Sequence, residues 1–163
     1  MNQVEKLSAV IELILEYHPK GLRVLVGEVE PTTEELNAIL QGICRSDSEP
    51  SARVAAAFPT SPQERSLMRV ESLLNVVSEA GSWPGIAAMA REFRELYSDT
   101  WEIFRTHVEW IETGGGTRGE YEPALVRLAD RFKISVDTVQ RKRRFVVDMI
   151  ASAALRTDRV LNG

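Results

Sequence analysis

A chain of 163 residues makes one or two small domains, and 44% apolar with 27% charged residues is the balance of an ordinary globular core under a charged surface. No apolar run approaches the ~18 residues of a membrane span, and the one cysteine, Cys44, excludes an internal disulfide framework and any cysteine-pair zinc site; its expected place is as a small buried hydrophobe. The net charge of -4 is unevenly divided: residues 1–117 hold 10 basic and 18 acidic side chains, residues 118–163 hold 10 and 6. A net of -8 thus precedes a net of +4, as expected of a chain that meets phosphate at one end, although a solvated basic face has the same composition.

Residues 2–18 place Val4, Leu7, Ile11, Ile14 and His18 at three- and four-residue steps, with Glu5, Lys6, Glu12 and Glu16 on the other faces. This predicts an amphipathic helix, broadened by Leu13 and Leu15 and ended by Pro19, that packs in a core or against a second copy. Residues 22–29 read as a short strand or a helical turn; no partner strand is evident, which favours helix. Pro31-Thr32-Thr33-Glu34-Glu35-Leu36 is a helix start with a threonine cap, and that helix is expected to run to about Ile43. A polar loop over 45–51 and a short helix over 52–58 follow. Ser61-Pro62-Gln63-Glu64 opens a further helix that continues through Leu67, Val70, Leu73, Leu74 and Val77 to about Ala80, before a turn at Gly81-Ser82-Trp83-Pro84-Gly85.

From Ile86 to Glu112 the apolar positions keep helical spacing for longer than one globular helix usually runs, and Ser98-Asp99 supplies an internal start, so a break is expected near Tyr97. The run Gly114-Gly115-Gly116-Thr117-Arg118-Gly119 marks the best boundary in the chain. The expected organisation is an acidic helical part over 1–113, a glycine-rich linker over 114–122 and a basic unit over 123–163.

That basic unit carries the functional signal. Leu125, Leu128, Ala129 and Phe132 share one helix face, Lys133-Ile134-Ser135 interrupts it, and a second pattern with Val136, Val139 and Val146 follows, with Ser135 placed to cap it. The segment resembles the helix-turn-helix superfamily of DNA-binding domains: Ala129 matches the small residue between the helices, Ser135 the cap and Val139 the buried branched residue. Two positions depart from the pattern. Lys133 stands where the family often has glycine, at a cost of roughly 1 kcal/mol if left-handed. Lys142 stands where an apolar residue is expected, so either the second helix is rotated or the lysine stem snorkels.

The resemblance implies that the second helix enters the major groove. Asp137, Gln140, Arg141 and Arg144 then face base edges, and Arg127, Arg131, Ser135, Thr138, Lys142 and Arg143 face phosphate. Asp137 either accepts from a cytosine amine or pairs with Arg141 along the helix. One such module contacts few bases, so a homodimer is expected, through the helix of Val4 to Ile14 or through the apolar tail Phe145, Val146, Val147, Met149, Ile150, Ala153, Ala154 and Leu155. A weak echo at an offset of 39 sets Pro84, Ile86, Met89, Ala90 and Phe93 against Pro123, Leu125, Leu128, Ala129 and Phe132, and Arg105 against Arg143 after a one-residue gap. A second, acidic copy of the unit is one reading of it; chance similarity of alanine-rich helices is the other.

Catalytic patterns are not found. His107-Val108-Glu109 lacks the cysteine pair of the zinc deaminases, and His18 and His107 have no carboxylate at metal-ligand spacing and read as packing or surface histidines. Gly114 to Gly119 lacks the lysine of a phosphate loop, and Trp83, Trp101 and Trp110 sit in turn or helical patterns that read as core rather than as a base-stacking platform. The expectation is an all-α, cytoplasmic, non-enzymatic DNA-binding protein without cofactor or metal: a small bacterial or phage transcription regulator on double-stranded DNA, whose acidic part contacts RNA polymerase or another protein. The alternatives are a helical, polymerase-associated interaction factor and a phage DNA-packaging recognition subunit.

Overall fold

The computed structural model describes residues 2–18, 20–36, 39, 70–113 and 121–162, and their regular structure is entirely helical, with no strand among the described residues. Helix α1 (Gln3–Tyr17) starts at Asn2, whose side-chain oxygen accepts from the Glu5 backbone N–H at 2.8 Å. Its buried surface is wider than a stripe: Leu7, Val10, Ile11, Leu13 and Ile14 are all inaccessible, as befits a helix packed on several sides. The expectation that α1 offers a dimer surface is therefore corrected, because that face is used up inside its own core.

The chain then reverses. His18 is buried; its Nδ1 accepts from the Lys20 backbone N–H at 3.0 Å, which leaves the proton on Nε2 to reach Glu35 at 2.9 Å. Helix α2 (Gly21–Leu25) returns against α1 so closely that a Cβ on Gly21 would lie 2.9 Å from the Ile14 carbonyl oxygen and the Leu15 Cα. The ambiguous 22–29 stretch thus begins helical and ends in a turn through Gly27, at φ 82°. At 33–36 the threonine cap appears as a reciprocal pair: Glu35 N–H donates to Thr32 Oγ1 at 3.0 Å, and Thr32 N–H to Glu35 Oε1 at 3.4 Å. The expected continuation to Ile43, the 45–51 loop, the 52–58 helix, the Ser61 start and residues 114–120 lie outside the described residues.

Helix α3 (Val70–Glu79) is followed by α4 (Ser82–Leu96), which takes in the Trp83-Pro84-Gly85 segment expected to be a turn. Two causes suffice. Proline's missing N–H is harmless in a first helical turn, and the buried Trp83 is tethered by its Nε1–H to the Val24 carbonyl at 2.6 Å. The break at Tyr97 is present, with φ -128° and ψ 54°, and α5 (Ser98–Thr113) follows it. Helix α6 (Tyr121–Phe132) begins inside the span expected to be linker, and α7 (Val136–Asn162) closes the chain.

Two hydrophobic clusters result. The larger joins α1, α2, α3 and α4 to Trp101, Phe104 and Val108 of α5 and to Val146, Val147, Ile150, Ala151, Ala154 and Leu155 of α7. The smaller gathers Ile103 of α5 with Leu125, Leu128, Ala129 and Val139 of the α6–α7 hairpin. Since α7 belongs to both, the expected division between 1–113 and 123–163 does not divide the core: the apolar tail is covered mainly by α1, α4 and α5.

Between the clusters lies a buried polar group. Arg143, 3% exposed, donates from Nη2 to Glu12 Oε2 of α1 at 3.1 Å and from Nη1 to His107 Nδ1 of α5 at 3.1 Å, with its guanidinium 5.6 Å from the Phe104 ring centroid. Arginine cannot accept, so His107 is the tautomer with its proton on Nε2. Glu12 was expected on the polar face of its helix and is instead 9% exposed, drawn inward by this cation.

Arg143→Leu should strand the Glu12 carboxylate and lower the unfolding free energy by about 3–5 kcal/mol, whereas Arg143→Leu combined with Glu12→Leu should recover most of that loss. Urea unfolding followed by circular dichroism reads both. Gly21→Ala, by forcing α2 off the α1 backbone, should cost about 1–3 kcal/mol in the same assay.

Candidate nucleic-acid interface

The α6–α7 junction is built by local rules. Lys133 takes the left-handed conformation at φ 57°; its N–H donates to the Asp130 carbonyl at 3.4 Å, and Ile134 N–H donates to the Ala129 carbonyl at 3.0 Å. These two bonds are a Schellman helix ending, with Ile134 packed back on the Leu128 and Ala129 cluster. Ser135 then caps α7: its Oγ accepts from the Thr138 N–H at 3.1 Å and lies 2.8 Å from Thr138 Oγ1. Helix α5 packs against both arms, with Ile103 buried in their cluster and Trp110 half-buried at its margin.

Inward on α7 lie Val139, Arg143, Val146 and Ile150, at steps of four, three and four residues. The opposite face carries exposed Asp137, Arg141 and Arg144, with Gln140 half-buried beside them. Asp137 Oδ2 and Arg141 Nε pair at 3.1 Å, and with side chains 74% and 73% exposed that pair is weak enough for a stronger partner to displace. Thr138 and Lys142 are half-buried along the edges, and Ser135 is exposed at the helix start.

Arg143 was expected to contact phosphate, and that expectation is corrected: its guanidinium is enclosed by α1 and α5. The same observation explains the misfit at Lys142. The inward position after Val139 falls four residues on, at Arg143, so α7 is turned and Lys142 remains at the rim.

Arg127 and Arg131, four residues apart on α6, are exposed, and each guanidinium lies 5.8 Å from the Trp110 ring centroid. The cations over Trp110 arrive from another helix, α6, and not from its neighbours in the chain. Acid limits this surface at one edge. Glu102 is held below the ordinary carboxylate range, first by its hydrogen bond from Arg105 and also by the nearby charge of Arg131. Arg105 itself is bonded to Glu102 and Glu109, all on the outer side of α5.

The internal echo is only partly reproduced. Ile86 and Ala90 are buried like their counterparts Leu125 and Ala129, but Met89 is half-buried where Leu128 is buried, Phe132 is half-buried where Phe93 is buried, Tyr97 is a one-residue break without the left-handed turn of Lys133, and Arg105 is half-exposed where Arg143 is enclosed. Among the described residues no three His, Cys, Asp or Glu side chains could together hold a metal ion, and no helix is long and apolar enough to cross a membrane. No protein-family model matches the chain, no curated protein matches it, and no solved structure matches its fold. What the geometry defines is a class: an all-helical protein in which a capped helix presents cations on its first turns and is anchored in the core by the rest of its length.

Ser135→Ala should remove the cap of α7 and cost about 1 kcal/mol in urea unfolding, without altering the packing of Val139 behind it.

Proposed function

We propose that residues 121–150 act as a helix-turn-helix and that the chain is a sequence-specific duplex-DNA-binding protein, in the manner of a small bacterial or phage transcription regulator working in the cytoplasm. One observation carries the reading: the outer face of the first turns of α7 bears exposed Arg141 and Arg144 with half-buried Gln140 beside them, while the same helix farther on is locked into the core. Gln140 suits adenine N6 and N7, and Arg141 or Arg144 suits guanine O6 and N7, each worth about 1–3 kcal/mol of discrimination. Arg127 and Arg131, stacked on Trp110, suit phosphate on one side of the groove, with the Ser135 and Thr138 hydroxyls and Lys142 as further phosphate contacts. Asp137 holds Arg141 along the helix until a base edge competes for it.

The second reading, a helical factor that binds protein such as a polymerase subunit, draws on a different observation: the large apolar side chains Leu96, Tyr97 and Phe145 are exposed. DNA packaging by a phage recognition subunit would use the DNA-binding surface just described.

Binding to mixed-sequence duplex DNA should fall steeply with salt, and selection from random oligonucleotides should yield a preferred site. Arg141→Ala should relax preference at one position of that site. Arg127→Ala with Arg131→Ala should weaken all sequences alike and lower the log–log salt slope by about 0.9 per lost contact. Absence of binding at low salt, with the fold intact by circular dichroism, overturns the DNA reading.

A further inference from the structure

A shallow groove runs between α4 and α7, floored by Phe93 and Ile150 and walled by Met89, Leu96, Tyr97 and Met149. Phe145 extends it toward the start of α7: its ring centroid lies 5.9 Å from that of Phe93 and 6.0 Å from that of Tyr97. Leu96 is 68%, Tyr97 44% and Phe145 43% exposed, so the groove is an apolar surface that the described residues leave uncovered. Val126 is the one other large hydrophobic exposed to this degree among the described residues, and it lies on α6, outside the residues that line the groove.

The charges at the groove identify its occupant. Glu92 lines it from α4 and Arg156 from α7, and neither forms an ion pair with another described residue of its own chain. Opposite charges on the two lips make the surface self-complementary. When two copies meet about a two-fold axis that runs along the groove, the α4 lip of one faces the α7 lip of the other, and the same attraction is made twice.

We infer that this groove is the homodimer interface of the protein, with Phe145 and Leu96 at its centre and Glu92 of each copy set against Arg156 of the other. The position has a consequence that rests on the DNA reading above: an axis along the groove sets the two α7 helices side by side with their starts at the same end of the dimer, so that both basic faces are offered to one duplex. A single short reader becomes a pair on a two-fold site.

Sedimentation equilibrium of the full chain tests the interface directly. The wild type should be dimeric at micromolar concentration. Leu96→Glu and Phe145→Glu, both changes at exposed positions, should each give a folded monomer by circular dichroism. Glu92→Arg alone and Arg156→Glu alone should each raise the dimer dissociation constant at least tenfold, because like charges then meet twice; mixing those two variants should restore a dimer, because both pairs become opposite again. A monomeric wild type overturns the inference, as does a dimer indifferent to all four substitutions or a mixture of the charge variants that stays monomeric. DNA binding is scored separately: a dimer with these mutational responses that ignores DNA leaves the interface standing and removes the DNA reading.

Discussion

A guanidinium is tolerated away from water only where its charge is answered, and Arg143 finds that answer in Glu12, with His107 beside it, where α7, α5 and α1 come together. Glu12 answers the charge, His107 accepts one of the donors, and the Phe104 ring covers the plane. The rotational setting of α7 depends on this arrangement. A one-residue turn of the helix would part the cation from the buried Glu12 carboxylate, and that penalty is larger than the preference of any single valine for the inside. With Arg143 fixed inward, Asp137, Arg141 and Arg144, displaced from it by more than a quarter turn of the helix, are outward.

The same helix does two physically different jobs along its length. From Val146 onward it is a core element, sharing a cluster with α1 and α4; before Arg143 it is covered on one side only, by Val139 against α5 and α6. A surface carried on such a helix is presented rigidly, because any tilt of its first turns must disturb packing several turns away. The junction before it is equally determined. Lys133 accepts a strain of about 1 kcal/mol in the left-handed region, and the two bonds of the helix ending together with the Ser135 cap hold it there.

Charge follows the same logic of place over sequence. The acidic first part of the chain and the basic last part are not simply apposed domains: one acid of the former, Glu12, is the internal counterion of one base of the latter. Elsewhere the surplus base stays on the surface. Arg127 and Arg131 rest on Trp110, Arg141 is held only by an exposed pair, and the groove of α4 and α7 opens beside Phe145, which immediately follows Arg144. The basic face and the apolar groove are thus neighbours on one helix, which links assembly to recognition in the proposed dimer.

Local patterns were readable in the chain because their causes are local. The three- and four-residue spacing of α1, α3, α4 and α6, the Thr32 and Ser135 caps, the break at Tyr97 and the left-handed Lys133 all follow from interactions within a few residues. The first turn of α4 escaped that reading because Trp83 is tethered to Val24, fifty-nine positions away. Glu12 and Arg143 were misplaced for the same kind of reason: each alone is a charged residue that belongs in water, and only their meeting across 131 positions makes burial tolerable. Trp110 gained its cations from a helix that the sequence places beyond a glycine run. Sequence by itself determined the helical class, the apolar side of each helix and those ends that carry a local cap or break, since backbone hydrogen bonding and side-chain spacing are properties of a short stretch. Tertiary structure alone decided which charges are solvated, that the core crosses the expected domain boundary and which apolar surface is left over, because each depends on what another helix brings to the same point in space.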